Sequence, residues 1–169
     1  MRKWIIILTG VATLALVNWT ITQRENQITN GKVARLELAP VDPRSLMQGD
    51  YMALRFQLSN EVQRAITEKK EDAQDGHLVA KPDANGITRY VRLHAGESLA
   101  PDEFLLRYRV RDHQVKFATN AWFFQEGHAK IYEGARYGEF RVSPAGEMLL
   151  VAMLGKDREK LGPALPSTP

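Results

Sequence analysis

A hydroxyl nucleophile needs a base beside it and a metal needs closely spaced donors, and the residues of this chain meet neither need. Ser45 lies in Pro43-Arg44-Ser45-Leu46, with no lysine in a downstream context that would take its proton. His77, His94, His113 and His128 are scattered, and no pair has the i, i+4 spacing of a helical zinc motif. Glu126 and His128 bring two donors to one loop, which is too few for a site, and Asp72, Asp75 and Asp83 are too dispersed for a calcium loop. The absence of cysteine excludes disulfides, thiolate metal sites and cysteine nucleophiles. No catalytic residue, metal ligand or cofactor-binding residue is assigned on these grounds. What remains is a charged set, with Arg44 and Asp50 in one segment and Glu126, Arg136 and Glu139 in another. If the strands that carry them pair, the set meets at one end of a sheet. It then serves as an ion-pair network that fixes loops, or as a docking face for an anionic ligand or partner.

The elements that would position these groups are mostly short strands. Lys32 to Leu38 alternates Ala34, Leu36 and Leu38 against polar neighbours, and Pro40 ends the run. Tyr51 to Leu58 alternates Met52, Leu54, Phe56 and Leu58 in the same way, after a turn at Gln48 and Gly49. Asn60 reads as the cap of a short helix with Gln63 at its third position and Val62, Ala65 and Ile66 as its apolar stripe, followed by a charged loop from Glu68 to Gly76. Three hairpins follow. His77 to Lys81 and Ile87 to His94 flank the turn formers Pro82 to Gly86, and Phe104 to Arg111 and Gln114 to Ala118 flank Asp112 and His113. Gly138 to Ser143 and Glu147 to Leu154 flank Pro144, Ala145 and Gly146. Phe104 to Arg111 is oily on one side at Leu106, Tyr108 and Val110 and basic on the other at Arg107, Arg109 and Arg111. Between the second and third hairpins lie the aromatic run Trp122-Phe123-Phe124 and, after Gly127, a short helix from His128 to Arg136 with Ala129, Tyr132 and Ala135 inward.

Ahead of this domain stands a run of another kind. Arg2 and Lys3 precede a charge-free stretch from Trp4 to Gln23 that is apolar but for small or amide side chains, of which Asn18 lies near the far end beside Trp19. A helix of about 20 residues spans roughly 30 Å, the hydrocarbon thickness of a bilayer. Cations precede the span while Arg24 and Glu25 cancel after it, so the positive-inside bias leaves the N-terminus in the cytoplasm. Val17, Asn18 and Trp19 do not supply the small residues of a signal-peptide cleavage site. The sequence therefore divides into a cytoplasmic start and signal-anchor helix (residues 1–24), a linker (25–31), an outward-facing β-rich domain (32–161) and a disordered tail (162–169). Net charge is +3, with two of the cations ahead of the span, and nothing here attracts nucleic acid.

The run Pro40 to Phe56, with Pro43, Arg44, Gly49, Asp50, Tyr51, Leu54 and Phe56 at its heart, resembles the GDYXXLXY protein family. Trp122 to Gly127, and the stretch from Ala129 to Leu150 that holds Arg136 and Glu139, look like that family's second block. Phe56 stands where the family pattern has Tyr. The resemblance implies a bacterial protein with an N-terminal membrane helix, commonly encoded beside a multi-span membrane protein, and it brings no established chemistry. A second likeness is to the segment after the nucleophilic serine of type I signal peptidases, carried by Leu46, Gly49 and Asp50 before a strand. Aligned on Gly49 and Asp50, the nucleophile position holds Val41, whose carbon side chain cannot attack a carbonyl, and Ser45 falls where that motif has threonine.

The expected fold is mainly β (α+β), an N-terminal transmembrane helix followed by one β-rich sandwich or partly open barrel with two short helices. The expected role is that of a single-pass inner-membrane protein with a periplasmic domain, a non-catalytic accessory or interaction subunit that meets the membrane and a multi-span membrane protein. The alternative is a membrane-anchored hydrolase, which Val41 disfavours.

Overall fold

The apolar N-terminal run forms one continuous helix, α1 (Arg2–Asn30), in a computed structural model that describes residues 2–39, 47–48, 51–69 and 74–163. From Lys3 to Asn30 it is long and apolar enough to cross a membrane, with a mean hydropathy of 1.9 in its best window and none of that window buried by the rest of the chain. Its hydroxyls are hidden locally: Thr9, Thr13 and Thr20 each donate to the carbonyl four residues back at 2.9 Å, and Thr22 does so at 3.0 Å. That removes the main cost of placing threonine in lipid.

The helix continues past the apolar stretch, so residues 25–30 are its last turns. Here it docks. Gln27, only 9% exposed, donates through Nε2 to the carbonyls of Glu147 at 2.8 Å and Arg141 at 3.1 Å, while Arg24 donates to its Oε1 at 3.1 Å. Gly31 follows without room for a side chain, because an added Cβ would come within 2.3 Å of the Gln27 carbonyl oxygen.

Two antiparallel four-stranded sheets make the body of the domain. One has the order β1 (Lys32–Glu37), β9 (Tyr137–Val142), β10 (Met148–Leu154), β11 (Lys160–Leu161), and the other β5 (Thr88–Leu93), β4 (Gly76–Pro82), β6 (Phe104–Arg111), β7 (Gln114–Lys116). β1 and β5 lie side by side, with the Arg35 N–H donating to Thr88 Oγ1 at 3.1 Å. The sheets thus run on into a half-barrel, against whose β1, β5 and β7 the helix α2 (Gln57–Lys69) packs. The third hairpin is tied to the second sheet as well, since the Arg107 N–H donates to the Gly146 carbonyl at 2.9 Å. Leu36, Val62, Leu78, Leu106, Phe140 and Met153 are among the fully buried side chains where these layers meet.

All three expected hairpins form. Asp83 Oδ1 accepts the N–H groups of Asn85 and Ile87, both at 2.9 Å, which closes the first turn. Asp112 and His113 take φ of 53° and 58°, the pair of positive angles that a two-residue turn between right-twisted strands requires. Gly146 takes φ of 79° at the third.

Within the domain, boundaries differ from the sequence reading where β3 gives way to α2 and at the second helix. The strand Tyr51 to Leu58 shrinks to β3 (Tyr51–Ala53), and the helix starts at Gln57, so that Asn60 is an exposed residue inside its first turn. Leu58 suits both periods: it continues the alternation of Met52, Leu54 and Phe56, and it also begins the i, i+4, i+8 stripe of Leu58, Val62 and Ile66, all buried. Past Leu54 the chain parts from β8 and turns to the end of β1, where the Ala39 N–H donates to the Arg55 carbonyl at 2.8 Å and Phe56 bridges Leu38, and the helical stripe takes over from Gln57. The second helix, α3 (Ala129–Tyr132), has four residues in place of the run from His128 to Arg136. Tyr132 and Ala135 are nonetheless buried, and the Arg136 N–H is drawn to the Leu154 carbonyl at 2.8 Å, which turns the chain into β9. The stop at Pro40 and most of the C-terminal tail, residues 164–169, lie outside the described residues.

Candidate functional site

A small third sheet, β2 (Met47–Gln48), β3 and β8 (Ala121–Phe123), brings the two sequence blocks together. Its register sets Tyr51 opposite Phe123, Met52 opposite Trp122 and Ala53 opposite Ala121. Alternation along β8 then divides the aromatic run. Phe123 points outward, 74% exposed, with its ring centroid 5.7 Å from that of half-buried Tyr51. Trp122 and Phe124 turn inward onto Tyr132 of α3, Trp122 edge-on at 6.0 Å and Phe124 stacked at 5.2 Å. The Trp122 indole N–H is buried without a hydrogen-bond partner among the described residues. Among the described residues β8 ends the strand order, which leaves Phe123 on a sheet edge.

The Gly-Asp-Tyr segment is thereby split by role. Leu54 and Phe56 are core, 5% and 2% exposed. Phe56 meets Phe140 edge-on at 5.4 Å and Phe117 at 6.4 Å. An apolar ring at position 56 suits that packing, whereas a tyrosine hydroxyl would have to find a partner among aromatic rings. Tyr51 alone of the described motif residues reaches the surface beside an exposed aromatic neighbour. Pro43, Arg44, Gly49 and Asp50 lie outside the described residues.

In the second block, Glu126 is exposed and Gly127 takes φ of 83° in the turn before α3. Arg136 donates to the Ala135 carbonyl at 2.9 Å. Glu139, 5% exposed, is held by Arg35 at 3.1 Å and Lys160 at 3.6 Å. Arg35 and Lys160 are the partners that sequence reasoning missed, because the pairing of β1 with β9 and of β10 with β11 is long-range. The signal that would have found Arg35 is its place on the polar side of β1.

Elsewhere the charged residues stitch the surface. Arg92 grips Glu103 with two bonds of 2.6 and 2.9 Å and reaches Glu97 at 2.8 Å. The Arg92 guanidinium, with help from the Ala100 N–H, holds Glu103 down at about 2. Glu97 is likewise lowered to about 2, first by its own backbone N–H and then by that of Ala95. Of the basic face of β6, Arg111 grips Asp75 through bonds of 2.8 and 3.0 Å and Arg107 pairs with Glu147. Among the described residues no three His, Asp or Glu side chains gather as a metal site would need.

An apolar N-terminal helix carrying a small β-rich domain, with two sequence blocks joined in one three-stranded sheet, defines a membrane-associated protein whose exposed feature is an aromatic sheet edge. The chain belongs to the GDYXXLXY protein family, whose pattern matches residues 13–153, from within α1 to the end of the β9–β10 hairpin. No curated protein and no solved structure matches it.

Proposed function

We propose that this protein is a non-catalytic accessory subunit of a membrane assembly, held by α1 at the outer face of the bacterial inner membrane with its N-terminus in the cytoplasm and its domain in the periplasm. The observation that carries the reading is the Tyr51–Phe123 pair, in which the motif tyrosine supports a phenylalanine 74% exposed at a sheet edge. Large exposed aromatics on a strand edge suit contact with another protein, where aromatic anchors supply much of the binding energy. The basic residues Arg2 and Lys3 ahead of the span support the orientation. Tethering then raises the effective concentration of the domain near a multi-span partner without any new contact.

A photo-crosslinker placed at Phe123 in native membranes tests this. A discrete adduct with a multi-span membrane protein, lost in a Tyr51→Ala variant that still folds, is the expected result. An uncrosslinked monomer in mild detergent overturns it, and a reporter after Pro169 that is shielded in the cytosol overturns the orientation.

A further inference from the structure

The stalk of α1 does not lie flat on the domain. Between it and the β9–β10 turn opens a groove of roughly 980 Å³, lined on the helix side by Trp19, Gln23 and Arg24 and on the domain side by Lys32, Leu99 and Ala145. Two features say what fits there. The first is position: Trp19 sits at the end of the apolar run, where tryptophan marks the membrane interface, and Arg24 stands five residues or roughly 8 Å further along the helix axis. That distance matches the headgroup layer of one leaflet, about 5–8 Å thick. The second is charge. Glu103 and Glu147, which also border the groove, are taken by Arg92 and Arg107. Arg24 and Lys32 have no carboxylate partner among the described residues; Arg24 donates to Gln27, while Lys32 lies 4.8 Å over the Phe104 ring and donates to the Glu103 carbonyl at 3.3 Å. The groove thus holds two cations without a carboxylate partner, Arg24 in the headgroup layer and Lys32 just past the last turn of α1, its ammonium over Phe104.

We infer that this groove seats the phosphate headgroup of an anionic phospholipid from the leaflet on the domain's side, and so fixes the domain against the bilayer surface. The inference rests on α1 spanning the membrane. Arg24 and Lys32 meet the phosphate oxygens from the helix and from the start of β1, Trp19 borders the glycerol region, and exposed Leu99 and Ala145 face the lipid. The Gln27 bonds to the β9–β10 hairpin keep the two walls at a constant spacing.

The test uses the full chain in nanodiscs of phosphatidylcholine with or without phosphatidylglycerol. Bound phosphatidylglycerol that survives gentle delipidation is counted by native mass spectrometry, and a nitroxide at Ala145 reports access to an aqueous relaxant. Expected are retained phosphatidylglycerol, about a five-fold loss of retention for each of Arg24→Gln and Lys32→Gln, recovery in Arg24→Lys and Lys32→Arg, and a nitroxide shielded only when phosphatidylglycerol is present. Equal retention in the Gln variants, or a nitroxide open to water in both discs, overturns the proposal. So does a nitroxide shielded in both, which points to a protein occupant, or displacement of the lipid by inorganic phosphate, which points to a site indifferent to the bilayer. If the chain fails to enter nanodiscs at all, the membrane-spanning reading fails, and this inference fails with it.

Discussion

Tyr51 and Phe123 face each other across the β3–β8 pair, their ring centroids 5.7 Å apart and their planes tilted by 40°. They stand 72 positions apart in the chain, and at this pair the two halves of the family pattern meet at the surface. An exposed ring beside a cross-strand aromatic contributes little to folding, and its place at the surface suits contact with another molecule.

Replacing Phe123 with serine is therefore expected to change stability by no more than about 1 kcal/mol, the loss of one aromatic pair at an exposed site. The neighbouring Tyr132→Ala removes a buried ring that packs against Trp122 and Phe124, and is expected to cost about 3–5 kcal/mol. Urea denaturation of the two variants measures the contrast. Comparable losses would show that Phe123 is structural.

Phe140 is fully buried and meets Phe56 edge-on at 5.4 Å. Phe140→Ala should destabilise by about 3–5 kcal/mol, and Phe56→Tyr by about 1–3 kcal/mol through an unpaired hydroxyl in the core. Thermal melts followed by near-ultraviolet circular dichroism read both effects.

The junction of helix and domain depends on Gln27 and Gly31. Gln27→Ala should cost only about 1 kcal/mol globally, because it removes side-chain hydrogen bonds and opens no large cavity. Its clearer signature is faster hydrogen exchange over residues 24–30. Gly31→Ala should do more, about 1–3 kcal/mol, because the new methyl would meet the Gln27 carbonyl oxygen at 2.3 Å and force the helix aside.

Acid should weaken the loop that carries Glu97 and Glu103. Both carboxyls lie at about 2 in the folded chain against an ordinary 4.5. Their contribution is present above pH 4.5 and is lost as the pH falls toward 2, where the folded protein too takes up the protons. The midpoint of urea unfolding should fall across that window, and Arg92→Gln should flatten the part of the slope due to Glu103. An unchanged slope in the variant would place the acid sensitivity elsewhere.

The second hairpin turns on Asp112 and His113, both in the left-handed region. His113→Gly should stabilise the domain by about 0.5–1 kcal/mol, since glycine adopts that angle without the steric cost borne by a side chain. A raised melting temperature is the expected result.

Local signals were legible in the residues. The charge-free run after Lys3, the three hairpins with their turn formers, and the inward side of β6 follow from hydropathy and turn chemistry acting over a few neighbours. The end of β3 and the start of α2 were not legible, because Leu58 satisfies a strand and a helix equally, and the switch of partner from β8 to the end of β1 at Arg55 and Phe56 is a long-range contact. The grouping of Arg44 and Asp50 with Glu126, Arg136 and Glu139 rested on which strands would pair. For Glu139, β1 supplied Arg35 and β11 supplied Lys160.

Sequence alone determined that one end of the chain suits lipid and that the rest forms short strands, because solvent preference and backbone angles are properties of each residue and its nearest neighbours. Only the tertiary structure decided that Tyr51 meets Phe123, that Gln27 clasps the β9–β10 hairpin, and that Arg24 and Lys32 share one groove. These are contacts between segments far apart along the chain, chosen by the shape of a common core, and no local pattern encodes such a choice.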